Sequence, residues 1–331
     1  MTLMPQLQSQ YREPHPNTRM QQHSGALLIN KHPGTSSFGV IEIIQNHLIR
    51  EKKISRRDLP KLGHGGTLDP FATGLLVILV GRAVKLARYF LGATKSYQGT
   101  MKFGETTVPG DPTSPVSETC PTLPKSLEEL SDLAHRLTLQ AYFQIPPMHS
   151  AKKKNGKPLY ELARAGLEVE REPKLCHLYD FQILNYQAPI AEFKLKCSSG
   201  TYVRTLAQDF GRMLGSLALV ESLHRLSSGV FHVERALDVS EVLEASRQEI
   251  PWNELPCWIP FDRLLEGYGR ADVSLQEKAQ LFQGKQSVLF SILKRVQFEQ
   301  DDSCFAIYHN EALVGIARRD DNRWALERIF N

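Results

Sequence analysis

The chain has 331 residues, 41% hydrophobic and 23% charged, which is globular composition and excludes fibrous, collagen-like and wholly disordered readings. Forty Lys and Arg stand against 36 Asp and Glu, a net charge of +4, so a nucleic-acid partner is permitted but not demanded. The five cysteines are widely spread, with no C-x-x-C pair and no Cys/His cluster, which argues against a disulfide framework or a structural zinc site.

Residues 1 to about 24 are rich in Gln, Pro, His and Ser and lack apolar periodicity, the texture of a disordered tail without a signal core; Met20 is an alternative start. From Gly25 a short strand (Ala-Leu-Leu-Ile-Asn) leads through a turn at His32-Pro33-Gly34 to Thr35-Ser36-Ser37, an N-cap signal before a helix. His47 to Gly66 carries six Lys or Arg against two acidic residues. Leu75 to Val80 reads as a buried strand, far short of the ~20 residues that cross a bilayer, so a cytosolic protein without a membrane partner is expected.

Arg82 to Leu91 has helical spacing, Tyr97 to Phe103 reads as a strand, and Gly104 to Pro115 reads as a long ordered loop. An acidic helix is expected at 125–135. A second basic insertion spans 145–174; within it His149 to Arg164 holds four Lys and one Arg against one Glu, and a helix is expected at Leu159 to Ala165. Strands follow near 176–186 and 190–198, then a Ser198-Ser199-Gly200 turn and a helix at Arg204 to Leu217. A helical stretch at 234–250 precedes a linker at Pro251 to Pro260. The remainder, 262–331, reads as a small all-β module with runs at Gln286 to Leu293, Cys304 to Tyr308, Leu313 to Ala317 and Trp324 to Ile329. This mixed order indicates an α+β fold rather than a regular βαβ array.

The most conspicuous local string is Gly63-His64-Gly65-Gly66-Thr67-Leu68-Asp69-Pro70-Phe71-Ala72-Thr73-Gly74. Its glycines allow close backbone approach to a ligand, and Pro70 biases Asp69 towards extended geometry. A phosphate loop would need Gly-Lys-Ser/Thr opening a helix, which is absent. On these features alone a turn capped by Asp69 explains the string as well as a functional site does. An Asp is ionised at neutral pH from its reference pKa of about 3.9, which equips it as a nucleophile or base.

The string GHGGTLDPFATGLLVILVG closely resembles the catalytic-aspartate motif of the TruB-type tRNA pseudouridine synthases. GALLINKHPGTSS, TKSYQGTMKFG, QIPPMHSAKKKNGKPLYELARAG and CSSGTYVRTLAQDFGRMLG with HRLSSGVF agree in order and spacing, over about residues 25–232. The resemblance implies an α+β fold with a mixed, largely antiparallel sheet. A catalytic domain at 25–255 would carry a thumb insertion at about 140–175, and a PUA-like RNA-binding domain would occupy 262–331. It implies conversion of the T-loop uridine, tRNA position 55, to pseudouridine, with no cofactor or metal. Asp69 would be the catalytic aspartate, Arg204 its partner, and Tyr97 the tyrosine that stacks on the base. Tyr202 and Leu226 would line the uridine pocket, and His64 would replace the extruded nucleotide in the T-loop stack. Lys31, Asp111 and Lys153 would complete the substrate-binding set, with Lys152, Lys153, Lys154 and Lys157 gripping T-stem phosphates. The end domain, matched best at Val314-Gly315-Ile316-Ala317, would dock on the acceptor-stem side, and a monomer is expected.

Three departures from the family pattern stand out. Lys31-His32-Pro33 replaces Lys-Pro, Thr106-Thr107-Val108-Pro109-Gly110-Asp111 replaces alternating Thr before Asp, and His149 replaces a thumb tyrosine. They touch pocket scaffolding and RNA grip rather than Asp69, Tyr97 and Arg204. The competing readings are a synthase with another RNA target, a noncatalytic tRNA-binding chaperone, and a metal-dependent hydrolase, for which the sequence offers no ligand cluster.

Overall fold

The computed structural model describes residues 23–330 except 149, 151–152, 155–156, 165, 168, 297–303 and 321–322. All but the last two residues of the expected tail at 1–24 lie outside this range, as does His149.

Strand β1 (Gly25–Lys31) leads to helix α1 (Ser37–Arg50), whose N-cap Ser36 accepts the Gly39 N–H through its side chain. Strands β2 (Leu62–His64) and β3 (Thr73–Val80) flank the aspartate loop. A 3₁₀ turn at Gly81–Leu86 runs into α2 (Ala87–Gly92), followed by β4 (Lys95–Phe103), β5 (Glu105–Thr107), β6 (Val116–Thr119) and α3 (Leu127–Leu139). The insertion contributes β7 (Tyr142–Gln144), β8 (Lys153–Lys154), β9 (Lys157–Pro158), α4 (Leu159–Arg164) and β10 (Lys174–Cys176). Next come β11 (Leu178–Gln187), β12 (Ile190–Cys197), α5 (Val203–Met213), β13 (Ala218–Ser228), β14 (Phe231–His232), β15 (Leu237–Asp238), α6 (Val239–Arg247) and β16 (Trp258–Pro260). The end domain holds β17 (Gly269–Asp272), α7 (Leu275–Phe282), α8 (Gln286–Leu293), β18 (Cys304–His309), β19 (Ala312–Asp320) and β20 (Arg323–Ile329).

The central sheet runs β11-β12-β4-β13-β3-β1-β15, with β14, β16 and β2 added to it. Within this sheet, among the described residues, only β13/β3 and β1/β15 pair in parallel, so the expected mixed, largely antiparallel α+β fold is what the chain adopts. β3 is apolar almost throughout because both of its faces are covered, and six of its residues, Leu75 to Val80, are at most 1% exposed. Helix α3 lies on β11 and α5 on β13. Phe210 of α5 is wedged among sheet aromatics, 5.2 Å from the ring of Phe181 and 6.4 Å from that of Phe103.

Several segments depart from the sequence expectation. Gln286–Leu293 is a helix, because Val288, Leu289 and Ile292 are the buried residues and their spacing is helical; its β-forming composition yields to that period. With α7 beside it, the end domain is a four-stranded sheet with two helices rather than all-β. Pro251 to Pro260 is not a linker. It buries Trp252, Leu255, Cys257 and Trp258, and β16 pairs antiparallel with β1. The loop at Gly104 to Pro115 contains β5, which forms a small hairpin with β6. Helix α5 stops at Met213, ahead of the expected Leu217, where Gly215 takes φ +68° and the Ser216 N–H returns to the Gly211 carbonyl.

Gly99 pairs with Leu223, next to a β-bulge in β13 that lies between the pairs Val220/Met101 and Ser222/Thr100. A Cβ there would lie 2.2 Å from the Ser222 carbonyl oxygen. Gly99→Ala is therefore expected to cost about 2 kcal/mol or more of stability, because backbone rather than a flexible side chain must give way. A fall in the urea midpoint is the expected reading; an unchanged midpoint would contradict this account of the bulge.

Candidate active site

The loop 65–72 between β2 and β3 is suspended by side chains from four directions. Ser37, at the start of α1, accepts the Leu68 N–H at 2.7 Å and donates to the Leu68 carbonyl at 3.1 Å. Lys31, at the end of β1, donates to the carbonyls of His32 (2.8 Å) and Pro70 (3.1 Å). Arg225 of β13 donates to the carbonyls of Leu75 (2.7 Å), Thr67 (3.2 Å) and Gly66 (3.1 Å). Phe90 of α2 fills the space that a side chain at Gly65 would need, its Cβ only 2.8 Å from an added Cβ. Gly66 has φ +147°, so backbone freedom and close approach explain both glycines.

Asp69 projects from this loop to meet Arg204, in the first turn of α5. The guanidinium donates from Nε to Asp69 Oδ2 at 2.9 Å and from Nη2 to Oδ1 at 3.1 Å, a two-point contact that Lys has no geometry to make. Its Nη1 donates to the Pro109 carbonyl at 2.8 Å and to Asp111 Oδ2 at 3.3 Å. The Arg204 side chain is 4% exposed and that of Asp111 is 7%, whereas Asp69 keeps a third of its side-chain surface open. The cation and its second carboxylate are thus structural, and the open edge of the site belongs to Asp69. Burial pushes the Asp69 carboxyl above its ordinary range; Arg204 pulls it back down, Asp111 opposes that pull, and Lys31 adds to it.

The loop carrying Pro109 and Asp111 is itself held tightly. Thr107 Oγ1 accepts the N–H groups of Gly110 and Asp111 and donates to the Asp111 carbonyl. Gly110, at φ +77°, lies against Gln208 and the backbone of Arg204.

Tyr97 of β4 is buried and in register with Arg225 on β13 and Leu195 on β12. Burial pushes its phenol up to about 12, while Arg225 acts in the opposite direction, so it carries its proton at neutral pH. Arg225 itself is 2% exposed, and burial lowers its affinity for its proton. Lys95, two residues before Tyr97, donates to the carbonyls of Phe90 (2.6 Å), Leu91 (3.4 Å) and Ala93 (2.7 Å) at the end of α2. Burial pulls Lys95 down to about 7 and Lys31 to about 8. His64 ends β2; its Nδ1 is buried without a hydrogen bond among the described residues, and burial, then Arg225, lower its pKa.

The structure thus brings Asp69, Arg204 and Asp111 into direct contact, with Lys31, Tyr97 and His64 around the same loop. Tyr202 is the N-cap residue of α5, two positions before Arg204. Leu226 is the unpaired residue of a second bulge in β13, between the pairs Arg225/Tyr97 and Ser227/Ser96, a device that re-aims a side chain beside Arg225. Lys153 stands on β8 in the insertion. Sequence reasoning missed Arg225 and Ser37 as supports of the loop. An arginine following Val220 and Leu223 at the buried positions of β13, inside the string HRLSSGVF, was the available signal. Among the described residues no group of three or more His, Cys, Asp or Glu is placed to hold a metal ion, and no helix is long and apolar enough to cross a membrane.

Comparison with known proteins gives one consistent result. Residues 52–203 match the model of the TruB family pseudouridylate synthase N-terminal domain. The tRNA pseudouridine synthase B of Bordetella pertussis is 42% identical over 238 residues, covering 70% of this chain and 93% of that protein. Its namesake in Pediococcus pentosaceus is 37% identical over 315 residues, covering 90% and 95%. Among solved structures, the fold is shared with the matching chain of a Cbf5-Nop10-Gar1 complex, at a TM-score of 0.67 and 19% identity over 96% of this chain and 87% of that one. With relatives this similar along most of its length, and with an aspartate loop built as described, the chain belongs to the TruB family of pseudouridylate synthases.

Proposed function

We propose that the chain isomerises the uridine at position 55, in the T-loop of tRNA, to pseudouridine, with Asp69 acting at the sugar. The observation that carries this reading is the asymmetry of the Asp69–Arg204 pair: a buried guanidinium orients a carboxylate whose remaining edge is open. The relatives named tRNA pseudouridine synthase B support tRNA as the substrate.

The reaction breaks the bond between carbon 1′ and ring nitrogen 1, turns the base, and forms a bond from carbon 1′ to carbon 5. The proton on carbon 5 departs and nitrogen 1 gains one, so no external oxidant or energy source enters. Asp69 supplies the charge at carbon 1′, where positive character develops as the glycosidic bond opens. Tyr97, neutral and beside Arg225, stacks on the freed base and relays the proton. Tyr202 and Leu226 close the pocket around it.

A base inside a folded loop must first be flipped out, at a cost of a few kcal/mol. His64 stands at the edge of the aspartate loop between Gly63 and Gly65, and its lowered pKa keeps the ring neutral near pH 7. A neutral ring suits insertion into a base stack. The Lys-rich thumb and the basic segment 47–66 supply phosphate contacts, and the end domain contacts the acceptor-stem side. The protein acts in the cytosol, as a monomer.

Asp69→Asn keeps the shape of the side chain but removes its charge. Release of tritium from tRNA labelled at uridine carbon 5 should fall by about 10⁴-fold while tRNA binding stays within about threefold. Substantial turnover by this variant would remove Asp69 from the role. The pH dependence follows from the electrostatics of the site. Activity needs ionised Asp69, whose carboxyl lies above its ordinary range, so the single-turnover rate should be lost as pH falls through a value above the usual ~3.9. Because Asp111 raises that carboxyl, Asp111→Asn should move the acid limb to lower pH; a limb that moves upward or stays in place would contradict this electrostatic assignment.

A further inference from the structure

The stem of the thumb is a register pair, Gln144 on β7 opposite Lys174 on β10. Both side chains reach across to the same segment, the turn 198–202 that delivers α5. Gln144 is 1% exposed. Its Oε1 accepts the Tyr202 N–H at 2.8 Å, and its Nε2 donates to the Tyr202 carbonyl at 3.0 Å. One amide side chain thereby clasps both backbone groups of a single residue. Nε2 also donates to the Tyr142 hydroxyl at 3.0 Å, and that hydroxyl donates to Asp209 Oδ2 on α5 at 2.7 Å. On the other side of the stem, Lys174 Nζ donates to the Ser199 carbonyl at 2.9 Å and passes 2.4 Å from where a Cβ on Gly200 would stand.

These contacts meet a specific need. The N-cap residue of α5 is Tyr202, which offers no side-chain cap, so the start of the helix is unsupported by its own sequence. The Tyr202 carbonyl already accepts the first helical bond, from Leu206 at 3.0 Å, and Gln144 fixes the same peptide from outside the helix. Arg204 follows two residues later, in that first turn. Rotation or fraying of the turn would therefore shift the guanidinium that holds Asp69. A buried amide left without these partners would cost about 1–3 kcal/mol, so the clasp holds firmly while it is intact.

We propose that Gln144 is a positioning residue for the Asp69–Arg204 pair, assisted by Lys174, and that it transmits engagement of the thumb by RNA to the start of α5. Gln144 touches neither Asp69 nor Arg204; it acts through Tyr202. The proposal rests on the reading of the insertion as an RNA-gripping thumb, and the test separates the two.

Wild type, Gln144→Ala, Gln144→Glu and Lys174→Met would be compared on an unmodified tRNA transcript. Gln144→Ala should lower kcat by about 30-fold or more with KM within about threefold, the pattern of a misplaced catalytic group rather than lost binding. Gln144→Glu keeps the acceptor for the Tyr202 N–H and loses the donor, so its kcat should fall between; Lys174→Met should lose a few-fold. Hydrogen exchange over residues 199–208 should be faster in Gln144→Ala, and tRNA should slow it in wild type more than in the variant. A wild-type kcat in Gln144→Ala, or a loss confined to KM, overturns the proposal. If Gln144→Ala fails to fold, the kcat of Gln144→Glu decides in the same way. If wild type forms no pseudouridine, the functional reading fails, and the exchange comparison with tRNA still decides whether the clasp carries RNA engagement to α5.

Discussion

Burying the guanidinium of Arg204 is the constraint from which the rest of this structure follows. An arginine side chain with 4% of its surface exposed loses its hydration, a penalty of several kcal/mol that only well-placed acceptors offset. Here they are Asp69, Asp111 and the Pro109 carbonyl, drawn from two loops far apart in sequence. The helix that carries the cation, the Thr107-centred loop and the loop after β2 must therefore converge on one point. That convergence leaves a single edge of a single carboxylate facing outward.

Three further cations, Lys31, Lys95 and Arg225, are buried around the same loops, and their hydrogens go to backbone carbonyls. Lys31 and Arg225 act as struts for the aspartate loop, and Lys95 for the end of α2. Because they are satisfied by carbonyls, Lys31 and Arg225 place positive charge near Asp69 without bringing in further carboxylates to compete for it. Lys31 accordingly pulls on the Asp69 carboxyl through space, and Arg225 acts on the phenol of Tyr97. The glycines at 65 and 66 belong to the same arrangement, since they let the loop lie directly on Phe90 and Arg225.

Much of this was legible in the sequence where one local signal decides the outcome. The Thr35-Ser36-Ser37 cap, the apolar run of β3, the acidic helix α3 and the strand pair β11/β12 all fell where periodicity and capping put them. The contact between Asp69 and Arg204 was legible only through resemblance, since on physics alone a capped turn explained the aspartate string equally well. What failed was decided by tertiary packing. Gln286–Leu293 has the composition of a strand, yet its buried positions follow a helical period. Pro251 to Pro260 has the prolines of a linker, yet Trp252, Leu255 and Trp258 commit it to the core. Gln144 and Arg225 lie within the strings QIPPMHSAKKKNGKPLYELARAG and HRLSSGVF but were given no role there, because what they do lies in backbone groups brought near them only by the fold.

The end domain gains a particular property from how it is attached. Leu264, Leu265, Tyr308, Ile316 and Phe330 belong to the same hydrophobic core as Leu27 and Trp258, and the rings of Phe261 and Phe330 are 5.1 Å apart. The Tyr268 hydroxyl donates to the Tyr89 carbonyl, and Glu327 receives both Arg88 and the Tyr89 hydroxyl. The two halves are therefore welded rather than tethered. Whatever surface spans both halves is therefore held at one fixed separation, set by side-chain packing rather than by the reach of a flexible connection.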